Sequence, residues 1–231
     1  MRQLLMEIYA RLYNHFGPRH WWPADTAFEM IVGAILTQNV AWKGAAQAIT
    51  NLKAKGWLEL RTLLKAPEGE LAEALRPARY HNQKARKLRD FCRVVDEEFH
   101  GDLTAFLAQE IEPLRKRLLA MPGIGPETAD CIILYAAEKP IFVIDAYTHR
   151  VFHRLGHFNA RVKYDEMQAF FMKHLPPDVK LFNEYHAQID ALGNRICLKR
   201  TPLCGRCPIL IFCRAAAGEQ AVRSLKIVES G

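Results

Sequence analysis

The chain has 231 residues, 50% of them hydrophobic and 25% charged, enough to bury a full core as one large domain or two smaller ones. A net charge of +7 and a pI near 9.1 admit a nucleic acid or an anionic membrane surface as partner and select neither. No apolar run approaches the roughly 20 residues of a membrane helix, and Glu7 and Arg11 interrupt the N-terminal stretch that a signal peptide would need, so a cytoplasmic protein is expected.

Residues 1–16 carry Leu4, Leu5, Ile8, Leu12 and Tyr13 on one helical face, and Gly17-Pro18 ends that helix. An aromatic loop, His20-Trp21-Trp22-Pro23, leads into FEMIVGAILTQN, whose Phe28, Ile31, Val32, Ile35 and Leu36 predict a buried helix. Further helices are expected over Lys43–Ala54, Glu68–Ala74, Asn82 to Phe99 and Ile111–Ala120, the last carrying Arg115, Lys116 and Arg117. Past residue 145, helices follow at about 146–155, 164–174 and 178–192, and the tail from Arg214 on reads as loosely held. Period-two alternation is confined to the brief Ile141–Ile144 run. The fold class is therefore all-α.

Between two of these helices lies Met121-Pro122-Gly123-Ile124-Gly125-Pro126. Gly123 and Gly125 permit backbone angles that other residues resist, and Pro126 suits a first helical position. Ala129, Ile132, Ile133 and Ala136 then follow at i, i+3, i+4, i+7. One reading is a plain surface hairpin. The other is an anion site, with the N–H groups of Ile124 and Gly125 pointing outward at a helix start. The apolar run after this helix ends in a single acid, Asp145, which alone would read as an N-cap for the next helix.

Cys197, Cys204, Cys207 and Cys213 have the spacing C-x6-C-x2-C-x5-C. Four thiolates are the ligand set of tetrahedral zinc or of a [4Fe-4S] cluster, and zinc sites more often come as two separated C-x2-C pairs. Lys199, Arg200 and Arg206 either offset the negative charge of such a centre or face phosphates. Cys92 and Cys131 sit in helical patterns as core residues.

The glycine turn with Pro126, Asp145 after its apolar run, and the cysteine spacing together resemble the helix–hairpin–helix DNA glycosylase superfamily, in its endonuclease III-like, cluster-bearing form. The resemblance implies two helical domains, one over 24–138 with the hairpin, the other combining 1–23 with 139–231, and a DNA cleft between them. It implies a [4Fe-4S] cofactor on the four cysteines and a monomer acting on double-stranded DNA that contains a damaged base. By the same resemblance Gly123, Ile124 and Gly125 grip the DNA backbone, Lys199 and Arg200 touch DNA, and Gln38 fills the gap left by a flipped nucleotide. Asp145 is then the catalytic acid.

Lyase-active members of that family place a Schiff-base lysine two residues past the second glycine, where this chain has Glu127. A carboxylate cannot form that adduct, so a monofunctional glycosylase is expected. WWP, LTQN, Trp42 and the later RP-x2-Y-x-NQKA resemble the 3-methyladenine glycosylase III branch, with Trp21, Trp22, Pro23 and Trp42 as walls of the base pocket. A purine alkylated at N3 or N7 is cationic, which aromatic walls attract. The alternatives are a monofunctional glycosylase for T or U opposite G or for oxidised bases, a bifunctional endonuclease III activity, and a DNA-binding module without catalysis.

Overall fold

The computed structural model describes residues 1–217; the tail expectation falls mostly beyond these, and its first four residues, 214–217, form one helical turn with Ala216 buried. Among the described residues all regular structure is helical, as the sequence periodicity predicts. The helices are α1 (Arg2–Phe16), α2 (Ala27–Leu36), α3 (Trp42–Ala54), α4 (Leu60–Lys65), α5 (Glu68–Ala74), α6 (His81–Phe99), α7 (Leu103–Ala108), α8 (Ile111–Ala120), α9 (Pro126–Cys131), α10 (Ala146–Leu155), α11 (Tyr164–His174) and α12 (Val179–Arg195). None is long and apolar enough to cross a membrane. Contacts divide the chain into two units, one running from Trp22 to Ile141, the other joining Met1–Trp21 to the chain from Phe142 onward.

In the Trp22–Ile141 unit α2 is the central element. Every residue from Phe28 to Leu36 is buried, and α3, α6 and α9 pack around it. A variant of the capping box starts α2: Thr26 Oγ1 accepts from the Glu29 N–H at 3.1 Å, and Glu29 Oε2 reaches back one residue further, accepting from the Asp25 N–H at 3.1 Å. The Lys53 ammonium neutralises the buried Glu29 at 2.8 Å. Two short helices, α4 and α7, have no counterpart in the sequence expectation. Each has six residues, too few to display a helical period.

The helix after the hairpin departs from the regular stripe expected of it. It is α-helical only to Cys131 and widens into a π turn over Ile132–Ala136, where the Ala137 N–H donates to the Ile132 carbonyl at 3.0 Å. Ile132, Ile133 and Leu134 are all fully buried, and Tyr135 turns to a different neighbour.

The other unit is built on α1, α10, α11 and α12. Phe142, Phe152, Phe171, Phe182 and Tyr185 are fully buried and in mutual ring contact, with Phe142 and Phe171 stacked at 4.1 Å. The Tyr185 hydroxyl donates to the Leu5 carbonyl at 2.8 Å and ties α12 to α1. Ile141–Ile144 is buried, and the Gln168 amide of α11 donates to the Phe142 carbonyl at 2.7 Å. That run delivers Asp145 to the start of α10.

Candidate active site

The hairpin joins α8 to α9 through residues 121–125. Gly123 has φ +80, a left-handed conformation, and a Cβ there would lie 2.3 Å from Lys87 Cε. Gly125 is different: φ is −94 and a Cβ would meet open space, so only one of the two glycines is required by the backbone. The Ile124 N–H is also not the outward donor expected of it. It donates to the Met121 carbonyl at 3.2 Å and closes the turn, and the Ile124 side chain is buried. Of the two N–H groups expected to face an anion, that leaves the one on Gly125, which caps α9.

Two basic residues ahead of the turn serve the fold. Arg115 makes a bidentate ion pair with the fully buried Asp130, at 2.7 and 3.2 Å, and so clamps α8 to α9. Arg117 pairs with Glu98 and lies over the Phe99 ring. Lys116 is exposed, as are Pro126 and Glu127 in the first turn of α9.

Gln38, just beyond α2, is spent within the same unit. Its amide donates to the Gly123 carbonyl at 3.0 Å and to Thr128 Oγ1 at 2.8 Å, while its oxygen accepts from Lys87 Nζ at 2.6 Å. To fill a gap in DNA it would first have to break all three bonds. Lys84, one turn earlier on α6, is 2% exposed and donates to the Leu36 and Ala78 carbonyls, both at 2.7 Å. Burial pushes its ammonium down to about 8, and the charge on Lys87 acts the same way. Gln38, Asn39, Tyr80, Gln83, Lys84 and Lys87 line a cavity of about 280 Å³.

Trp21, Trp22 and Trp42 are half-buried, and Trp22 is seated on α2. A Cβ on Gly33 would come within 3.0 Å of its Nε1. Trp22 meets Trp42 edge-on with ring centroids 5.5 Å apart, and tilts against Tyr135 at the same distance. Pro23 is exposed and Trp21 belongs to the other unit. Tyr135 escaped the sequence reading because the π turn that aims it is not encoded by a residue type.

Asp145 is the N-cap of α10: Oδ1 accepts from the Thr148 N–H at 2.6 Å. Only that oxygen is spent on the cap. Oδ2 lies 3.7 Å from His186 Nε2 of α12, and the two side chains are 12% and 8% exposed. Tyr147, Asp190 and Asn194 complete the surroundings. The Tyr147 hydroxyl donates to Asn194 Oδ1 at 2.6 Å, and the Asn194 amide donates to both Asp190 oxygens at 3.1 and 3.0 Å. None of these four neighbours stood out in the sequence.

The cysteines form a loop with little regular structure, two 3-10 turns over Cys204–Arg206 and Leu210–Phe212. All four line one cavity of about 130 Å³, together with Arg154 and Arg200. Burial pushes the Cys207 thiol up to about 11, against a backbone hydrogen bond from Ile209, and Cys197, Cys213 and Cys204 add to the rise. Among the described residues no three His, Cys, Asp or Glu side chains are arranged to hold a single ion. Arg154 Nη1 donates to Cys197 Sγ at 3.1 Å and to the Leu198 carbonyl at 2.8 Å, and Arg150 Nε donates to the Cys197 carbonyl at 2.9 Å. Lys199, Arg200 and Arg206 are exposed.

An all-helical fold with this hairpin, acid and cysteine loop defines a class, and comparison with known proteins agrees. The model of the HhH-GPD superfamily base excision DNA repair proteins matches residues 32–177. The chain belongs to that superfamily, a family of DNA glycosylases. A Methanocaldococcus jannaschii protein whose provisional name is DNA repair glycosylase is 42% identical over 91% of this chain and 96% of its own. Among solved structures, a trapped endonuclease III–DNA covalent intermediate superposes with a TM-score of 0.80 at 21% identity, over 95% of this chain and 99% of that one. The H. pylori 3-methyladenine DNA glycosylase bound to 1,N6-ethenoadenine gives 0.72 at 26% identity, over 84% and 97%.

Proposed function

We propose that this protein is a monofunctional DNA glycosylase of base excision repair, hydrolysing the N-glycosidic bond of an alkylated purine such as 3-methyladenine. The observation that carries the reading is Glu127, an exposed carboxylate in the first turn of α9 where a lyase needs a nucleophilic amine. The half-buried rings of Trp22, Trp42 and Tyr135 support the choice of substrate, since a cationic purine is drawn to their faces. Likeness to the H. pylori enzyme supports it too.

In this mechanism the flipped purine leaves with the electron pair of its bond to the sugar, which discharges its positive ring. Asp145 stabilises the oxocarbenium-like sugar through the carboxylate edge left over from its cap. Water adds to the sugar carbon and gives its proton to that carboxylate. Gly125 at the start of α9 and the exposed Lys199 and Arg200 would meet phosphates. Cys197, Cys204, Cys207 and Cys213 would hold a [4Fe-4S] cluster, which supplies a rigid charged cross-link for their loop. Four thiols lining one cavity, in the spacing C-x6-C-x2-C-x5-C, support that choice of centre.

Duplexes carrying single defined lesions, incubated with the protein and then split with or without alkali, test the reading. Strand cleavage confined to the alkali-treated 3-methyladenine duplex is expected, and breaks without alkali would overturn the role given to Glu127. Asp145→Asn should bind the lesion duplex and excise at least 100-fold more slowly, the scale of losing one electrostatic stabiliser.

A further inference from the structure

The proposed mechanism makes no use of Lys84 or of the cavity that it helps to wall. An ammonium only 2% exposed is costly without a counter-charge, and the two groups it donates to, the Leu36 and Ala78 carbonyls, are neutral. Lys87, half-buried and one turn further along α6, adds a second positive charge and donates to Gln38 Oε1 at 2.6 Å. An ammonium has three N–H groups, so these bonds leave one on Lys84 and two on Lys87.

The start of α6 acts in the same sense. Its N-cap, Tyr80, makes no side-chain bond to the helix, and no acid stands in the first turn. The N–H groups of His81, Asn82 and Gln83 have no carbonyl within the helix to meet, so a 19-residue helix presents its positive end here. Tyr80 and Gln83 of this first turn wall the cavity together with Asn39, and all three side chains can donate. Asn39 and Tyr80 hold left-handed backbone, φ 57 and 44, and Tyr80 stands 60% exposed. Among the described residues no carboxylate lines the cavity. At roughly 30 Å³ per water, its volume of about 280 Å³ has room for an ion with waters around it.

We propose that this cavity is a phosphate subsite, in which Lys84 and Lys87 supply the charge and the start of α6 supplies further donors. Its occupant in the working complex is a backbone phosphate of the duplex, an assignment that rests on the reading of the protein as a DNA glycosylase. Free phosphate has the same chemistry. Lys87 also packs against the hairpin, since a Cβ on Gly123 would lie 2.3 Å from its Cε. A phosphate held by Lys87 is thereby fixed in position relative to the hairpin, and contacts of this kind set the register of a duplex without reading its sequence.

The test titrates the full-length, ¹⁵N-labelled holoenzyme with inorganic phosphate, chloride holding the ionic strength constant. The amide resonances of His81, Asn82 and Gln83 should move and saturate. Lys87→Met should weaken this binding about tenfold, the scale of one lost hydrogen bond to a charged group. Gln83→Glu places a carboxylate in the same space and should abolish the saturable shift. The same variant should raise Tm by about 1–4 °C, because an acid in a first helical turn stabilises the helix, so its loss of binding cannot come from misfolding. Shifts that never saturate, or that both variants leave unchanged, overturn the proposal. Affinity for a lesion duplex against salt then tells the two sources apart: with a backbone phosphate as occupant, Lys87→Met should reduce the slope of log affinity on log salt by about 0.9. Saturable phosphate binding with an unchanged slope overturns the backbone assignment and leaves a site for free phosphate. A protein that passes both arms yet excises no base keeps the subsite and loses the glycosylase reading, whereas an active glycosylase without saturable shifts loses the subsite alone.

Discussion

In the hairpin around Gly123 the polar groups find partners within the protein: Ile124 bonds to Met121, Gln38 to Gly123, Thr128 and Lys87, and Arg115 to Asp130. The loop from Cys197 to Cys213 has two three-residue turns, and its thiols face a cavity and an arginine. Both are short irregular segments next to helices, and each is proposed to meet DNA. Each carries backbone hydrogen bonds of its own, among them Leu203 N–H to the Ile196 carbonyl and Cys207 N–H to the Cys204 carbonyl in the cysteine loop. That loop differs in turning four thiols to one cavity, the place proposed for a cluster.

The sharpest way to break this comparison is Cys204→Ser. If the loop depends on a cluster, iron and acid-labile sulfide should both be lost, and Tm should fall by about 10 °C or more, since each kcal/mol is worth roughly 2–4 °C in a chain of this size. Retention of colour and Tm would mean that the loop stands by itself. Next in size is Arg115→Ala, which removes the bidentate ion pair from the fully buried Asp130 carboxylate. Denaturant unfolding should report a loss of about 3–5 kcal/mol, the usual cost of breaking a buried ion pair from one side. That loss should be the same in protein with and without iron.

A third test uses pH. The Lys84 ammonium is pushed down to about 8 in the fold, against an ordinary 10.5, so between those values the unfolded chain holds more protons. Stability of the wild type should therefore rise with pH across that window, by up to about 3 kcal/mol. Lys84→Met should lack the rise, and parallel curves would refute the shift. The smallest effect separates the two glycines. Gly123→Ala forces a side chain into the left-handed region against Lys87, at a cost of about 1–2 kcal/mol. Gly125→Ala should stay within about 0.5 kcal/mol.

The long helices were legible because each displays its buried stripe for several turns, as in α2 and α12. The four cysteines and Asp145 stood out because so few residue types can do the chemistry proposed for them. The features that stayed hidden depend on tertiary placement. Lys84 in an NQKA tract reads as a surface lysine, and only burial beneath α2 makes it a donor to two carbonyls. Gly125 looks equivalent to Gly123 until φ distinguishes them. Gln38 looks like a free amide until its three partners are seen. His186 and Asp190 lie about 40 residues past Asp145, on a helix whose packing against α10 depends on Gly193.

The widened turn over Ile132–Ala136 bears on how the Tyr135 ring is aimed. One residue added to a regular helix would rotate every later side chain by about 100°. A π turn takes up the extra residue within a single turn, so the change of facing is confined to the residues inside it. In the proposed base pocket, the facing of the ring beside Trp22 is thus set by chain length at this point as much as by the type of ring.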